Sequence, residues 1–485
     1  MRRFSIILYS LVCAVLLVSC GADQAIKKGD KFYAVGEYYD AAEQYRKAYT
    51  QTPSKERKLR GERARKLAEC YRRINLTNKA IAAYNNVVRY KQADSLTYLY
   101  LGQLHMKNGN YKEAEKQFQT AIDSLRFSAY GSKVDSALQL AENGLKSARM
   151  ANQWRKEGSA YTVKRMDIFN SRRDDYSPML GGEENNQLYF TSTRNQAQGD
   201  EYSGITGAKA ADIFMSQKDD KGKWGKPQSI DSELNSSYDE GACCFSPDGK
   251  TMYLTQCKTD ANYPRYATIA VSYRTDAAWG KPKELVIAND TLYSYAHPAV
   301  SPDGEWLYFV SDMPGGMGGL DIWRCRLLSH GEPGAVENLG EPVNTAGDEM
   351  FPTFRPNGDL YFSSNGHPGL GGLDIFIAKG KSLIHLGAPM NSQGDDFGMT
   401  FEGTRNQGFF CSNRGDSRGN DHIYSFYNPE IIQTVKGWVY EQDGYELTAA
   451  QVYMVGNDGT NLKLSVRGDG SFTQEVKSLD RKSVV

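Results

Sequence analysis

Asn344-Thr345-Ala346-Gly347-Asp348-Glu349 is one of four renderings of a single phrase. The others are Asn170-Ser171-Arg172-Arg173-Asp174-Asp175, Asn235-Ser236-Ser237-Tyr238-Asp239-Glu240 and Asn391-Ser392-Gln393-Gly394-Asp395-Asp396. An Asn-Ser/Thr-x-x-Asp-Asp/Glu phrase that returns at blade-length intervals predicts a β-propeller, a ring of four-stranded sheets. After a phrase come a short apolar strand, a tight turn and a second strand ending in aromatic residues, as in Ala299-Val300-Ser301-Pro302-Asp303-Gly304-Glu305-Trp306-Leu307-Tyr308-Phe309. Pro presets that turn and Gly accepts its positive φ. Ser246-Pro247-Asp248-Gly249 and Arg355-Pro356-Asn357-Gly358 repeat it, at steps of 55 (303 − 248) and 54 (357 − 303) residues, which suits one blade with generous loops.

A third strand is expected to start at Asp212-Ile213-Phe214, Asp321-Ile322-Trp323, Asp374-Ile375-Phe376 and Asp421-His422-Ile423-Tyr424. A fourth is expected after Trp224-Gly225-Lys226-Pro227, Trp279-Gly280-Lys281-Pro282, Leu339-Gly340-Glu341-Pro342 and Leu386-Gly387-Ala388-Pro389. The units run over about 176–235, 239–291, 295–344, 349–391 and 396–428, and the fifth lacks its last strand. Tyr161 to Phe169 leads into the first phrase as the other fourth strands lead into theirs, so it is expected to close the ring and remove the exposed edges. Over about 160–428 these units resemble WD-like repeats of the TolB type, with their Ser-Pro-Asp-Gly turn, aliphatic-aromatic strand and late Asp-Ile-aromatic strand. The second unit departs from that pattern, with Thr268-Ile269 in place of Asp-Ile and no glycine between Thr259 and Arg265.

Before the ring, Met1 to Cys20 reads as a secretory signal: Arg2 and Arg3, an apolar run from Ile6 to Val18, then Leu17-Val18-Ser19-Cys20. That tetrapeptide resembles a bacterial lipobox, which implies cleavage before Cys20 and its acylation; an ordinary signal peptide is the alternative. No acidic run follows Cys20, so the periplasmic face of the outer membrane is expected. From about Ala25 to Lys156 the composition turns to Ala, Lys, Glu and Tyr at helical spacing. Gly36-Glu37-Tyr38-Tyr39-Asp40-Ala41 with Tyr45, Ala48 and Pro53, a looser copy with Ala80 and Tyr84, and Gly109-Asn110-Tyr111-Lys112-Glu113-Ala114 with Phe118 and Ala121 resemble tetratricopeptide repeats. A generic helical bundle is the plainer alternative. Val134 to Lys156 is expected to cap the stack. After the ring, Thr434 to Tyr440, Ala450 to Met454, Leu462 to Val466 and Ser471 to Gln474 alternate as strands and resemble the start of a carboxypeptidase-regulatory-type β-sandwich, expected to be partial.

Lys plus Arg (58) equals Asp plus Glu (58), so no net field steers the chain to nucleic acid. Setting Cys13 and Cys20 aside, Cys70, Cys243, Cys244, Cys257, Cys325 and Cys411 match no zinc spacing and are expected as buried thiols, although a periplasm permits disulfides. Gly415-Asp416-Ser417-Arg418-Gly419 has the spacing of a nucleophile elbow, but that motif needs a strand before it and a helix after it, whereas here a third strand follows. The paired carboxylates of the phrase could do acid-base work, yet repetition in almost every unit favours turn-forming side chains that bond backbone N–H groups. The Asp-Gly turns lack the acidic density of a calcium loop. No catalytic residue, cofactor or metal site is expected.

The expected architecture is multidomain α + β: a signal peptide (1–19), a lipid-anchored α-helical tetratricopeptide solenoid (20–158), a five-bladed β-propeller (159–430) and a partial C-terminal β-sandwich (434–485). This order resembles the PorE-like outer-membrane lipoproteins of the Bacteroidetes type IX secretion system. The chain ends before the OmpA-like domain with which that family grips peptidoglycan, which puts peptidoglycan binding in doubt and leaves a truncated product or an anchorless variant as readings. The resemblance implies a non-catalytic scaffold for envelope proteins, type IX secretion components among them. The alternative is a periplasmic propeller that binds or cleaves a glycan or peptide. Partner contacts are expected at Tyr38, Tyr45 and Tyr111 in the helical groove, and on two glycine-rich loops at Met313, Met317, His367 and Leu370.

Overall fold

The computed structural model describes residues 21–127, 131–195, 202–230, 233–258, 266–275, 278–288, 292–328, 331–429, 431–455 and 461–478. The expected signal peptide, Cys20 and the loop at 259–265 lie outside them.

The phrase earns its recurrence through its first residue. Asn344 Oδ1 accepts from Ile322 N at 2.9 Å while its Nδ2 donates to Ile322 O at 2.9 Å, so the amide pairs with the third strand as another peptide unit would. Asn170 does the same to Ile423, Asn235 to Ile213 and Asn391 to Ile375. The first acid of each phrase then crosses to the preceding blade. Asp348 Oδ1 accepts from Leu320 N, Asp395 from Leu373 N, Asp239 from Ala211 N and Asp174 from Asp421 N, at 2.8 to 3.1 Å. These carboxylates bond backbone N–H groups, as expected, and the bonds span the seams between blades.

Five four-stranded antiparallel sheets result. Their first strands are Asp175–Gly181, Asp239–Phe245, Tyr295–Val300, Glu349–Phe354 and Asp396–Phe401. Blade five takes its fourth strand from Thr162–Arg165, with Val163 opposite Phe426 and Arg165 opposite Tyr424, so the ring is closed from both ends. Third strands begin at Asp212, Asp321, Asp374 and His422, and at Ala267 in blade two. The fourth strands correct one expectation. In blades one and two short strands, Gln228–Ser229 and Lys283–Glu284, do follow Gly-Lys-Pro, but in blades three and four Pro333–Asn338 and Ser382–His385 precede Leu-Gly-x-Pro. There the tetrapeptide is the turn out of the strand: Gly340 and Gly387 have φ of +62° and +68°, and their carbonyls accept from the phrase residues Asn344 N and Asn391 N.

Seven helices lie ahead of the ring among the described residues: α1 (21–34), α2 (Tyr38–Gln51), α3 (Arg57–Arg73), α4 (Thr77–Arg89), α5 (Ser95–Lys107), α6 (Tyr111–Leu125) and α7 (Ser132–Glu157). They pair through aromatic-on-glycine contacts. A Cβ added to Gly102 of α5 or Gly144 of α7 would meet the Phe118 ring of α6 at 2.6 and 2.4 Å, and one on Gly29 of α1 would meet Tyr45 at 2.6 Å. Substituting a larger residue there would force neighbouring helices apart. Helices and propeller form one compact unit, Met1–Tyr427, and Asn428–Val485 form a second. In the second, Ile431–Trp438 pairs with Ser471–Ser478, and Gln451–Val455 with Asn461–Ser465, as two-stranded sheets. Among the described residues no helix is long and apolar enough to cross a membrane. The six cysteines are free, five of them buried.

Candidate interaction surface

The turns inside the helical repeats rest on loops between the second and third strands of blades, and on the phrase itself. The α1–α2 turn meets blade one, where Tyr39 N donates to Gly204 O and Ile205 O. The α3–α4 and α5–α6 turns converge on the phrase of blade five. Lys107 Nζ lies 2.8 Å from Asp395 and 2.7 Å from Asn75 Oδ1, and Asn75 Nδ2 donates to Asp395 at 2.9 Å. Burial pushes the Asp395 carboxyl up, but Lys107 and Asn413 outweigh it and hold it below the ordinary carboxylate range.

Blade four contributes an apolar knob. Leu370 sits in a loop whose N–H groups, Leu370 N and Gly371 N, both donate to Asp374. The side chain is 0 % exposed and belongs to the core cluster of Tyr111, Ala114, Phe118, Ala148 and Ala151. Burying such a leucine contributes about 2 kcal/mol. Tyr111 Oη donates to Leu370 O at 3.0 Å, Asn143 Nδ2 to Gly366 O at 2.9 Å and Gly369 N to Ser147 Oγ at 3.0 Å, so the loop's polar groups are met as its apolar tip is buried.

Beside this joint lies a crevice of about 460 Å³. Asn75, Lys79 and Lys107 line one wall, and Asn413, Arg414 and Gly415 to Gly419 the other. Ser417 is exposed there, but its segment is a loop with left-handed φ at Gly415 and Gly419, lying between the strands Gln407–Ser412 and His422–Tyr427. The nearby imidazole of His422 is buried, with Nε2 3.0 Å from Asp416. Asp416, although its partial burial raises it, is held well below the ordinary range by His422, Arg418 and backbone N–H groups.

The propeller axis is filled. In each first strand a bulge carries one residue of left-handed φ: Ser177, Ala242, His297, Phe351 and Gly398. With their neighbours these five leave a cavity of about 30 Å³, too small for more than a water, and no carboxylate is among its lining residues. His297 stacks on Phe351 at 3.8 Å, and Phe351 on Phe397 at 4.5 Å. Burial pushes the His297 imidazole down to about 3, which keeps it neutral. No group of three or more His, Cys, Asp or Glu among the described residues could hold a metal ion.

Four of the seven residues singled out for partners are occupied within the chain. Tyr111 and Leu370 meet each other, Tyr45 donates to Asp30 at 2.7 Å, and His367 Nε2 lies 2.9 Å from Val343 O. Tyr38 sits edge-on to Tyr33 with Arg73 over its ring, Met313 faces Tyr295 Oη, and Met317 is 37 % exposed. No sequence motif marks Asn75 or Lys107, and Asp395 reads from sequence only as a turn-forming member of the phrase. The available signal was Lys107, placed one turn before the repeat tyrosine Tyr111 at the mouth of an intra-repeat turn.

Residues 95–124, which are α5 and most of α6, match the tetratricopeptide repeat family. Among curated proteins no sequence matches the chain. Similar solved structures include a protein of unknown function from Dyadobacter fermentans (14 % identity, 52 % of this chain and 76 % of that one, TM-score 0.33). A thermostable family-43 glycoside hydrolase (13 %, 53 % and 90 %, 0.36) and a puromycin hydrolase mutant complexed with PGG (13 %, 62 % and 51 %, 0.31) are others. At those scores the likeness carries no functional argument. What the chain itself carries is a tetratricopeptide repeat within a helical stack, joined to a five-bladed β-propeller.

Proposed function

We propose that this protein is a non-catalytic scaffold that holds proteins together at the cell envelope, anchored through lipid on Cys20 to the periplasmic face of the outer membrane and serving type IX secretion. One observation carries the scaffold reading: the helical stack is fastened to the ring by Lys107, Asn75, Asp395 and the buried Leu370, so two surface types of the kind that bind proteins are held in fixed relation. The filled axis and the backbone-bonded phrase carboxylates support it as well. The anchor, the location and the secretion role rest on the resemblance of the leader and of the domain order.

Affinity purification from solubilised envelopes tests this reading. Lys79→Glu with Arg418→Glu, on opposite crevice walls, is expected to lose partners that the parent chain recovers, without a change in Tm. Retention of every partner would count against the crevice as the contact. Cys20→Ser is expected to release the chain from the outer-membrane fraction. The alternative, a propeller that binds or cleaves a glycan or peptide, is tested in this same crevice. Hydrolysis lost on Ser417→Ala would establish it in place of the scaffold.

A further inference from the structure

Blade three repeats the loop with which blade four grips the helices, and there none of the described residues covers it. Aligned on the third-strand aspartate, Met317-Gly318-Gly319-Leu320-Asp321 stands where blade four has Leu370-Gly371-Gly372-Leu373-Asp374. The backbones match bond for bond. Met317 N and Gly318 N donate to Asp321, as Leu370 N and Gly371 N do to Asp374. Gly319 N donates to Gly347 O at 2.8 Å, as Gly372 N does to Gly394 O at 3.0 Å. Both pairs of glycines are required by close approach: a Cβ on Gly318 would lie 2.3 Å from Thr345 O, and one on Gly371 2.2 Å from Gln393 O.

The environments differ. Leu370 is 0 % exposed under the helices, whereas Met317 is 37 % exposed and residues 314–319 are exposed throughout. The charge site is duplicated too. Asp395 accepts from Leu373 N and Asn413 Nδ2, and in addition holds Lys107 and Asn75. Asp348 accepts from Leu320 N and Asn365 Nδ2 in the same way, at 3.0 and 2.8 Å, and both partners belong to the propeller. Blade three thus offers an apolar tip and, beside it, a carboxylate in the position that takes a lysine in the next blade.

We propose that the Met317 loop is a docking knob for a second helical hairpin, supplied by another protein of the repeat-helix type. This inference rests on the scaffold reading and names its partner chemistry. The occupant is specified by the intramolecular joint. It presents a socket lined by small residues and an aromatic ring for Met317, with a lysine at the turn between its two helices to reach Asp348. Methionine suits the task, because its flexible thioether adapts to a socket that is not its own. The helices of a second copy are unsuited, since their socket is filled by their own Leu370.

The experiment places a photo-crosslinker at the knob, as Met317→p-benzoylphenylalanine in the full-length chain in its native cells, and sequences the crosslinked peptides. The expected product joins position 317 to the turn between two helices of a different protein, with a lysine in or next to that turn. Asp348→Asn keeps the Oδ1 acceptor for Leu320 N but removes the charge, along with the acceptor for Asn365 Nδ2, and is expected to lower the yield about tenfold, the scale of one charge-assisted bond, while Asn365→Ala, which removes that second bond but not the charge, leaves the yield unchanged. Crosslinks only to this same chain, to lipid or to non-helical segments would overturn the proposal, as would no crosslink or a yield indifferent to Asp348→Asn. If the knob fails while the crevice variants still lose partners, the scaffold stands and only this inference falls. If the crevice variants fail and the knob crosslinks as expected, the partner surface lies on blade three.

Discussion

Blades one and five end their phrase in an aspartate and lay an arginine over it, whereas blades two and four end it in a glutamate with no cation beside it among the described residues. Asp175 meets Arg194 and Asp396 meets Arg414, each arginine coming from a Ser-x-Arg run at the end of the second strand. Each also stands over two aromatic rings, Arg194 over Phe190 and Phe214, and Arg414 over Phe410 and Tyr424. Glu240 and Glu349 receive instead only neutral donors, from Ser236 and Gln256 and from Thr345 and Ser364. Burial pushes both glutamates up to about 7. It pushes Asp396 up as well, with Arg414 opposing it. One hydrogen-bond geometry is therefore met in two ways, by an ion pair or by an acid near its neutral form. In blade four the arginine position is Gly366, where a Cβ would lie 1.9 Å from Thr345 Oγ1 and whose carbonyl is held by Asn143 of α7. Blade four, which buries Leu370 under the helices, has no room for the cation.

The comparison breaks most sharply at the ion pair. Arg414→Met is expected to cost about 3–5 kcal/mol, because it strands a buried carboxylate. Urea denaturation measures it, and a loss under about 1 kcal/mol would mean that the arginine is ornamental. Next comes the attempt to convert one blade into the other. Gly366→Arg, which would supply the missing cation to Glu349, is expected to destabilise by about 2–3 kcal/mol through overpacking against Thr345. A gain in Tm would refute the steric account. The last test is on pH. The folded-state values of Glu240 and Glu349, about 7, lie above the ordinary glutamate value, so their neutral forms favour the fold. That contribution is whole below about pH 4.5 and is lost as pH rises through about 7. Thermal unfolding between pH 5 and 8 is expected to show Tm falling, with a flatter profile in Glu240→Gln, Glu349→Gln.

The ring was legible because its motifs do local work that repeats. An asparagine that must pair with a third strand, and a turn that needs Pro and Gly, leave the same letters in each blade. The closing strand was legible by subtraction, since blade five had no other donor. Position relative to Leu-Gly-x-Pro was not, because Gly-x-Pro serves equally as the lead into a strand in blades one and two and as the turn out of one in blades three and four. The joint between helices and ring was hidden for another reason. Leu370, in a glycine-rich loop, reads as exposed, and its socket residue Tyr111 lies 259 positions away with no motif linking them.

The strand that closes the ring also sets a clock. Val163 pairs with Phe426, 263 residues later (426 − 163). The helices, whose contacts are local, can assemble as they emerge, but the latch hanging from α7 must wait for the last blade. At ribosomal rates that wait is on the order of tens of seconds, during which the strand Thr162–Arg165 has no partner to pair with. The length of the propeller thus fixes how long the young chain is open to pairing with its neighbours.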